Sequence, residues 1–170
     1  MLHPIQSIPE RQYRWVFLPL LGLTIISIVV IGVIPQSPSL VQFELAGSVS
    51  EVNKILDAWG TVGQIQAAFS LGFGFLAIAA YANTIALACI WAANVNQVNG
   101  LLANIGIWLA WGQWLAGLLD IVIDIALAFT LFNSVTPMPQ IAQWCTILKF
   151  ILIFLGLLYA GFSGVVYLLI

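Results

Sequence analysis

The sequence predicts an all-α membrane protein, a four-transmembrane-helix bundle, and three observations support this fold class. Hydrophobic residues make up 62% of the chain and charged residues 6%, whereas a soluble domain carries about 25% charged residues. The mean hydropathy is +1.10. Four apolar runs exceed the roughly 18 residues that indicate a membrane span. The predicted spans, all in a single domain over 1–170, are approximately 15–34, 67–92, 106–132 and 141–170.

The first span is predicted to be a retained helix. Arg11 and Arg14 precede its apolar run, as basic residues do in a secretory signal peptide. However, the run is too long for the usual apolar core of about 7–15 residues in such peptides, and residues 34–37 lack a small-residue cleavage pattern.

A short amphipathic helix is predicted at about 49–59, between helices 1 and 2. Residues 48–51, Ser-Val-Ser-Glu, match a capping box, and Gly60 is a plausible helix stop. Apolar residues follow at helical spacing with polar residues opposite, which is typical of an interfacial helix on the outer membrane surface. The alternative is that this helix packs on the helix ends and caps the bundle. Just before it, residues 41–45 alternate apolar and polar, a weak extended-segment signal.

The distribution of basic residues predicts the orientation. Arg11 and Arg14 flank helix 1, whereas the segment after that helix is mainly acidic. The positive-inside rule then places the N-terminus on the cytoplasmic side, and four spans return the C-terminus to it. We expect a multi-pass protein of a bacterial-type energy-transducing or plasma membrane.

Asp120, Asp124 and Lys149 form the predicted buried polar cluster. They are the acidic and basic residues after position 57, and all three lie in apolar runs, where each charge costs about 2.5–3.5 kcal/mol on insertion scales. The two aspartates are four residues apart and share one helix face. Small residues on that face favour close helix packing, so it should point into the bundle.

Counting helix turns from the short loop between helices 3 and 4 predicts which charges pair. Lys149 and Asp124 come to the same depth, so we expect an Asp124–Lys149 ion pair with Asp120 one turn deeper. By the same count Tyr81 lies deeper than Asp120, so it is a weaker candidate to donate a hydrogen bond to a carboxylate. Two carboxylates share one amine, and we expect one aspartate, Asp120 rather than Asp124, to be protonated at neutral pH.

Three interpretations of this cluster remain open. It is a buried ion pair that fixes helix register, or Lys149 extends past Trp144 to the outer interface, or the three residues form a proton, ion or ligand site.

Motifs for catalysis are missing from the sequence. His3 is the single histidine and precedes the first helix, so we expect no histidine-ligated haem or metal. No Ser/His/Asp set, zinc motif or phosphate-binding loop occurs, and we predict no catalytic residue and no enzyme. Four basic residues in the chain give no footprint for nucleic acid. The cofactor is left unknown, with lipid or pigment contact as the alternatives.

Several short stretches follow one another in a characteristic order along the chain. They are Phe43-Glu44-Leu45-Ala46-Gly47-Ser48, Asp57-Ala58-Trp59-Gly60, Ser70-Leu71-Gly72 through Tyr81, the acidic stretch at Asp120, and Lys149-Phe150. In these stretches the chain resembles a family of uncharacterised bacterial four-span integral membrane proteins. The family pattern has an acidic residue where Gly74 stands, and Asp-x-x-Glu-Asn where this chain has residues 120–124. The family has no established activity, so the resemblance implies the architecture and adds no reaction.

Together these features predict a non-catalytic integral membrane protein, an accessory or scaffold subunit of a larger membrane complex. Its expected partners are membrane lipids and other integral membrane subunits, with no nucleic acid. The alternative is a small proton- or ion-coupled transporter that uses Asp120, Asp124 and Lys149.

Overall fold

The computed structural model describes residues 3–96, 100–132 and 136–169, with side chains up to residue 164. Every regular element in these ranges is helical. A short 3-10 helix precedes five α-helices, of which α1, α3, α4 and α5 contain stretches long and apolar enough to cross a membrane. The elements are the 3-10 helix Pro4–Ser7, α1 Glu10–Gly32, α2 Leu40–Glu44, α3 Val49–Val95, α4 Gly100–Phe132 and α5 Met138–Leu169.

The predicted four long apolar helices are confirmed, while their bounds differ from the prediction. Helix α1 begins at Glu10, so both N-terminal arginines are helical, and it ends at Gly32 before the proline-containing turn. Helix α4 begins at Gly100, and α5 begins at Met138. The last residue of the predicted fourth span, 170, lies outside the described residues.

Helix α3 joins the predicted amphipathic helix to the second apolar run through a break at Gly60. Gly60 has φ 56° and ψ −168°, a left-handed backbone conformation that glycine adopts without a steric cost. The stop predicted at Gly60 is therefore a kink, because helical residues resume immediately after it. The second run is helical from residue 61, six residues earlier than predicted.

The capping prediction at the start of α3 is half right. The Ser48 hydroxyl accepts a hydrogen bond from the Glu51 amide at 3.2 Å, as expected for an N-cap. The Glu51 carboxylate binds Lys54 at 2.6 Å instead of returning to Ser48. A complete capping box lies earlier, where Ser39 and Gln42 exchange both bonds at the start of α2.

The apolar face of segment 49–59 packs on the rest of the bundle. Val52, Ile55 and Trp59 are all buried, in a core cluster with Phe43 and residues of α3, α4 and α5. The Trp59 ring lies 4.9 Å from that of Phe43, and its indole nitrogen donates to the Pro38 carbonyl at 2.7 Å. These contacts match the bundle-capping alternative.

Successive long helices run in opposite directions, and α3 is central because α1, α4 and α5 all pack against it. The start of α1 and residue 163 of α5 consequently lie at the same end of the bundle, near the end of α3. The contacts that show this are Glu10–Asn94 and Thr24–Thr84 between α1 and α3, Tyr81–Asp120 and Gly74–Asp124 between α3 and α4, and Leu102–Tyr159 and Gln113–Leu152 between α4 and α5.

Candidate functional site

Lys149 is the centre of a buried group of charges, which we name the charged cluster: Glu44, Asp120, Asp124 and Lys149. The Lys149 side chain is 6% exposed. Its ammonium donates to Asp120 Oδ1 at 2.7 Å and to Glu44 Oε2 at 2.9 Å. One lysine thereby joins α5 to both α4 and α2, in a setting where a buried cation must be paired to be tolerated.

The predicted Asp124–Lys149 ion pair is wrong, because Lys149 pairs with Asp120. The prediction counted turns from the loop between α4 and α5, but packing along the two helices sets the register. Tyr159 donates to the Leu102 carbonyl and Gln113 donates to the Leu152 carbonyl, both at 2.8 Å. This register places Asp120, not Asp124, level with Lys149.

Glu44 is the member of the charged cluster that sequence reasoning missed. It is the last residue of α2, where an extended segment was predicted, and it is 7% exposed. The Thr146 hydroxyl donates to the same Glu44 oxygen as Lys149, at 3.2 Å. Burial raises the pKa of Glu44 above its ordinary value, although the adjacent Lys149 ammonium opposes the shift. The pattern of a capping box at Ser39 and Gln42 was the available signal for α2.

Tyr81 extends the cluster to α3. Its hydroxyl donates to Asp120 Oδ2 at 2.9 Å, so both oxygens of Asp120 are hydrogen-bonded. The sequence placed Tyr81 deeper than Asp120, whereas the α3–α4 packing brings the two level. Lys149, Asp120 and Tyr81 thus form a continuous hydrogen-bonded chain across three long helices.

Asp124 lies one turn further along α4 with a different environment. It is 7% exposed, and its Oδ2 has no hydrogen-bond partner among the described residues. This oxygen lies against Gly74 of α3, where a Cβ would approach it to 2.7 Å.

From the sequence Asp120 is the aspartate expected to be protonated, whereas the hydrogen bonds lead us to predict that it is Asp124. Asp120 has a cation and a hydroxyl donor, whereas Asp124 has a buried oxygen with neither. We expect infrared difference spectra to contain a protonated-carboxyl component that is lost in Asp124→Asn and retained in Asp120→Asn. Loss of that component in Asp120→Asn alone would contradict the assignment.

Gly74 is predicted to favour the close approach of α3 to Asp124. Alanine at position 74 places a methyl group against the carboxyl oxygen, whereas a Cβ at Gly72 on the same helix meets nothing within 4 Å. The carboxyl group must shift to admit the methyl group at position 74, while alanine in open helix positions is favourable by up to about 1 kcal/mol. Thermal unfolding in detergent should therefore rank Gly74→Ala below Gly72→Ala, and equal stability would contradict this contact.

His3 has a defined place that the sequence did not predict. It is 1% exposed, with its ring 4.8 Å from Trp111 and 4.5 Å from Trp114 of α4. Its Nδ1 accepts a bond from the Ile5 amide at 3.2 Å, and burial lowers its pKa. No periodicity connects residue 3 with α4, so sequence alone had no signal for this contact. The histidine fastens the N-terminal arm to the bundle.

Within the described ranges, no three His, Cys, Asp or Glu side chains are placed to hold one metal ion. No protein-family model, curated protein or solved structure matches the chain. The resemblance to a four-span bacterial family therefore stays a prediction.

Proposed function

We propose that the chain is a non-catalytic integral membrane protein, an accessory or scaffold subunit of a larger membrane complex. The four long helices carry large apolar side chains on their outer faces. Soluble proteins rarely expose an apolar surface of this extent to water. In α1 only 6% of the most apolar stretch is buried. These faces suit lipid and the helices of neighbouring subunits.

The observation that carries the proposal is the way the charged cluster is used. Lys149 binds Asp120 and Glu44, and Tyr81 and Thr146 complete their hydrogen bonds. Together these contacts link α2, α3, α4 and α5. Clefts of about 600 and 290 Å³ on the bundle are lined by other residues. We therefore infer that the charged cluster fixes the register of these helices relative to one another.

We place segment 49–59 at the outer membrane surface, as a cap over the bundle. Its apolar face is packed on Phe43 and α4, while Glu51 and Lys54 on its other face are exposed. With that end outside, both chain termini lie on the cytoplasmic side of a bacterial-type energy-transducing or plasma membrane, as the basic residues of α1 favour.

Co-purification tests the subunit proposal. The full chain is expressed in its native membrane, and the membranes are washed with alkaline carbonate, which an integral protein should resist. The chain is then solubilised in mild detergent, and the proteins that purify with it are identified by mass spectrometry. We expect integral membrane proteins at fixed stoichiometry with this chain. A carbonate-resistant chain that purifies alone as a monomer would contradict the subunit role, and one that carbonate releases would contradict membrane integration.

One observation favours the alternative of a small proton- or ion-coupled transporter using Asp120, Asp124 and Lys149. The buried Asp124 Oδ2 without a partner in the described chain is the kind of group that binds and releases a proton. Transport also requires access from both sides, which the lining of the clefts does not supply. The flux measurement in the Discussion separates the two functions.

A further inference from the structure

A cleft opens between α1 and α5 at the end of the bundle where the chain begins. Both helices pack on α3, and they diverge enough to leave about 600 Å³ between them. This volume is within the range of about 300–1,000 Å³ found for small-molecule sites. In a membrane, a cleft that faces lipid is filled by an amphiphile or by another helix, and its lining decides which.

The lining changes from apolar to polar toward the end of the bundle. Phe17, Ala88, Trp91 and Ala160 form the apolar part, which matches a hydrocarbon chain. Glu10, Asn94 and Ser163 form the polar part. An amphiphile with its headgroup at the membrane surface fits this gradient, whereas a partner helix would need an apolar wall along its whole length.

Glu10 gives the polar end a negative charge. Asn94 of α3 donates to Glu10 Oε1 at 2.5 Å and holds the carboxylate at the cleft. In the part of the chain that the structure describes, Glu10 makes no ion pair within 4.0 Å. The carboxylate is therefore positioned to bind a cationic group from outside the chain.

Phe17 lies two helical turns further in than Glu10 on the same face of α1, and both residues line the cleft. At about 1.5 Å per residue the two are roughly 10 Å apart along the helix. The carboxylate therefore lies at the surface end of the cleft and the aromatic ring further inward.

We propose that this cleft binds a glycerophospholipid with a primary-amine headgroup. The inference rests on the proposed membrane location. The ammonium binds Glu10, and one acyl chain lies along Phe17 and Trp91. In such a lipid the ammonium lies at the surface end and the hydrocarbon at the inner end, which is the order of Glu10 and Phe17 on α1. An anionic glycerol headgroup would place no cation on Glu10.

Native mass spectrometry of the full chain in detergent tests this site. The protein is incubated with equimolar phosphatidylethanolamine and phosphatidylglycerol carrying the same acyl chains, and retained lipid is counted. We expect wild type to retain the ethanolamine lipid about threefold to fivefold more, the size of one exposed ion pair. Glu10→Gln should remove the preference, and Glu51→Gln, a matched exposed carboxylate elsewhere, should keep it. Ala160→Phe should reduce retention of both lipids by filling the cleft.

Equal retention of the two lipids by wild type, or an unchanged preference in Glu10→Gln, would overturn the inference. Glu10 is the exposed first residue of α1, so its substitution leaves the core intact. Carbonate extraction of the membranes from which each protein is purified distinguishes the two proposals. A protein that resists extraction but shows no lipid preference contradicts the headgroup site and leaves the membrane location intact.

Discussion

Replacement of Lys149 by methionine is expected to lower the free energy of unfolding by about 3–5 kcal/mol, the usual cost of breaking a buried ion pair by removing one partner. Methionine keeps the length and apolar volume of the side chain. Glu44 and Asp120 would remain buried within 3 Å of the vacated position, since they bind Nζ at 2.9 and 2.7 Å. The loss should shrink as the pH falls, because burial raises the pKa of Glu44 and its protonation removes one of the unpaired charges.

The matched control for this prediction is Lys54→Met. Lys54 also binds a carboxylate at 2.6 Å, but its side chain is 67% exposed, and exposed pairs contribute about 0–1 kcal/mol. Both variants are unfolded by titration with a denaturing detergent and followed by circular dichroism. A similar small loss in the two variants would show that the charged cluster does not hold the helices together.

Trp59→Ala is expected to cost about 3–5 kcal/mol, as large aromatic truncations in a core do. Trp59 is 8% exposed and packs on Phe43. Its truncation also removes the hydrogen bond that the indole N–H donates to the Pro38 carbonyl. The loss should detach segment 49–59 from the bundle.

Trp144→Ala is the control, because this tryptophan is 70% exposed on α5 and its removal opens no cavity. Stability is compared by thermal unfolding, and proteolysis within 49–59 reports detachment of the segment. If Trp59→Ala lowers the thermal stability no more than Trp144→Ala, the contacts of segment 49–59 with the bundle do not stabilise the fold, and the segment lies against lipid instead.

The fold was predictable because a membrane span is defined by length and apolar composition alone. Four long apolar runs in 170 residues leave little room for another arrangement. The path of α3 was less predictable. Gly60 is predicted to end a helix, since glycine ends many helices. In the structure the chain kinks there and continues, with Trp59 beside the kink packed on Phe43, a tertiary contact that local sequence does not indicate.

The charged cluster was predictable in its location but not in its pairing. Burial of charge in an apolar run pointed to Asp120, Asp124 and Lys149, which lie on facing helices. The partner of Lys149 depends on a shift of one helical turn between α4 and α5, and contacts such as Gln113 with Leu152 set that register. Glu44 lies far away in sequence and enters through a short capped helix, so no periodicity on the long helices indicated it.

Proton flux into proteoliposomes measures most directly whether the charged cluster holds the bundle together or moves ions. Purified full-length protein is reconstituted with a pH-sensitive dye inside the vesicles, and an imposed pH gradient and membrane potential drive entry. We predict the same flux for wild type, Asp124→Asn and protein-free vesicles. Flux above that of protein-free vesicles which Asp124→Asn abolishes would contradict the structural role and establish transport.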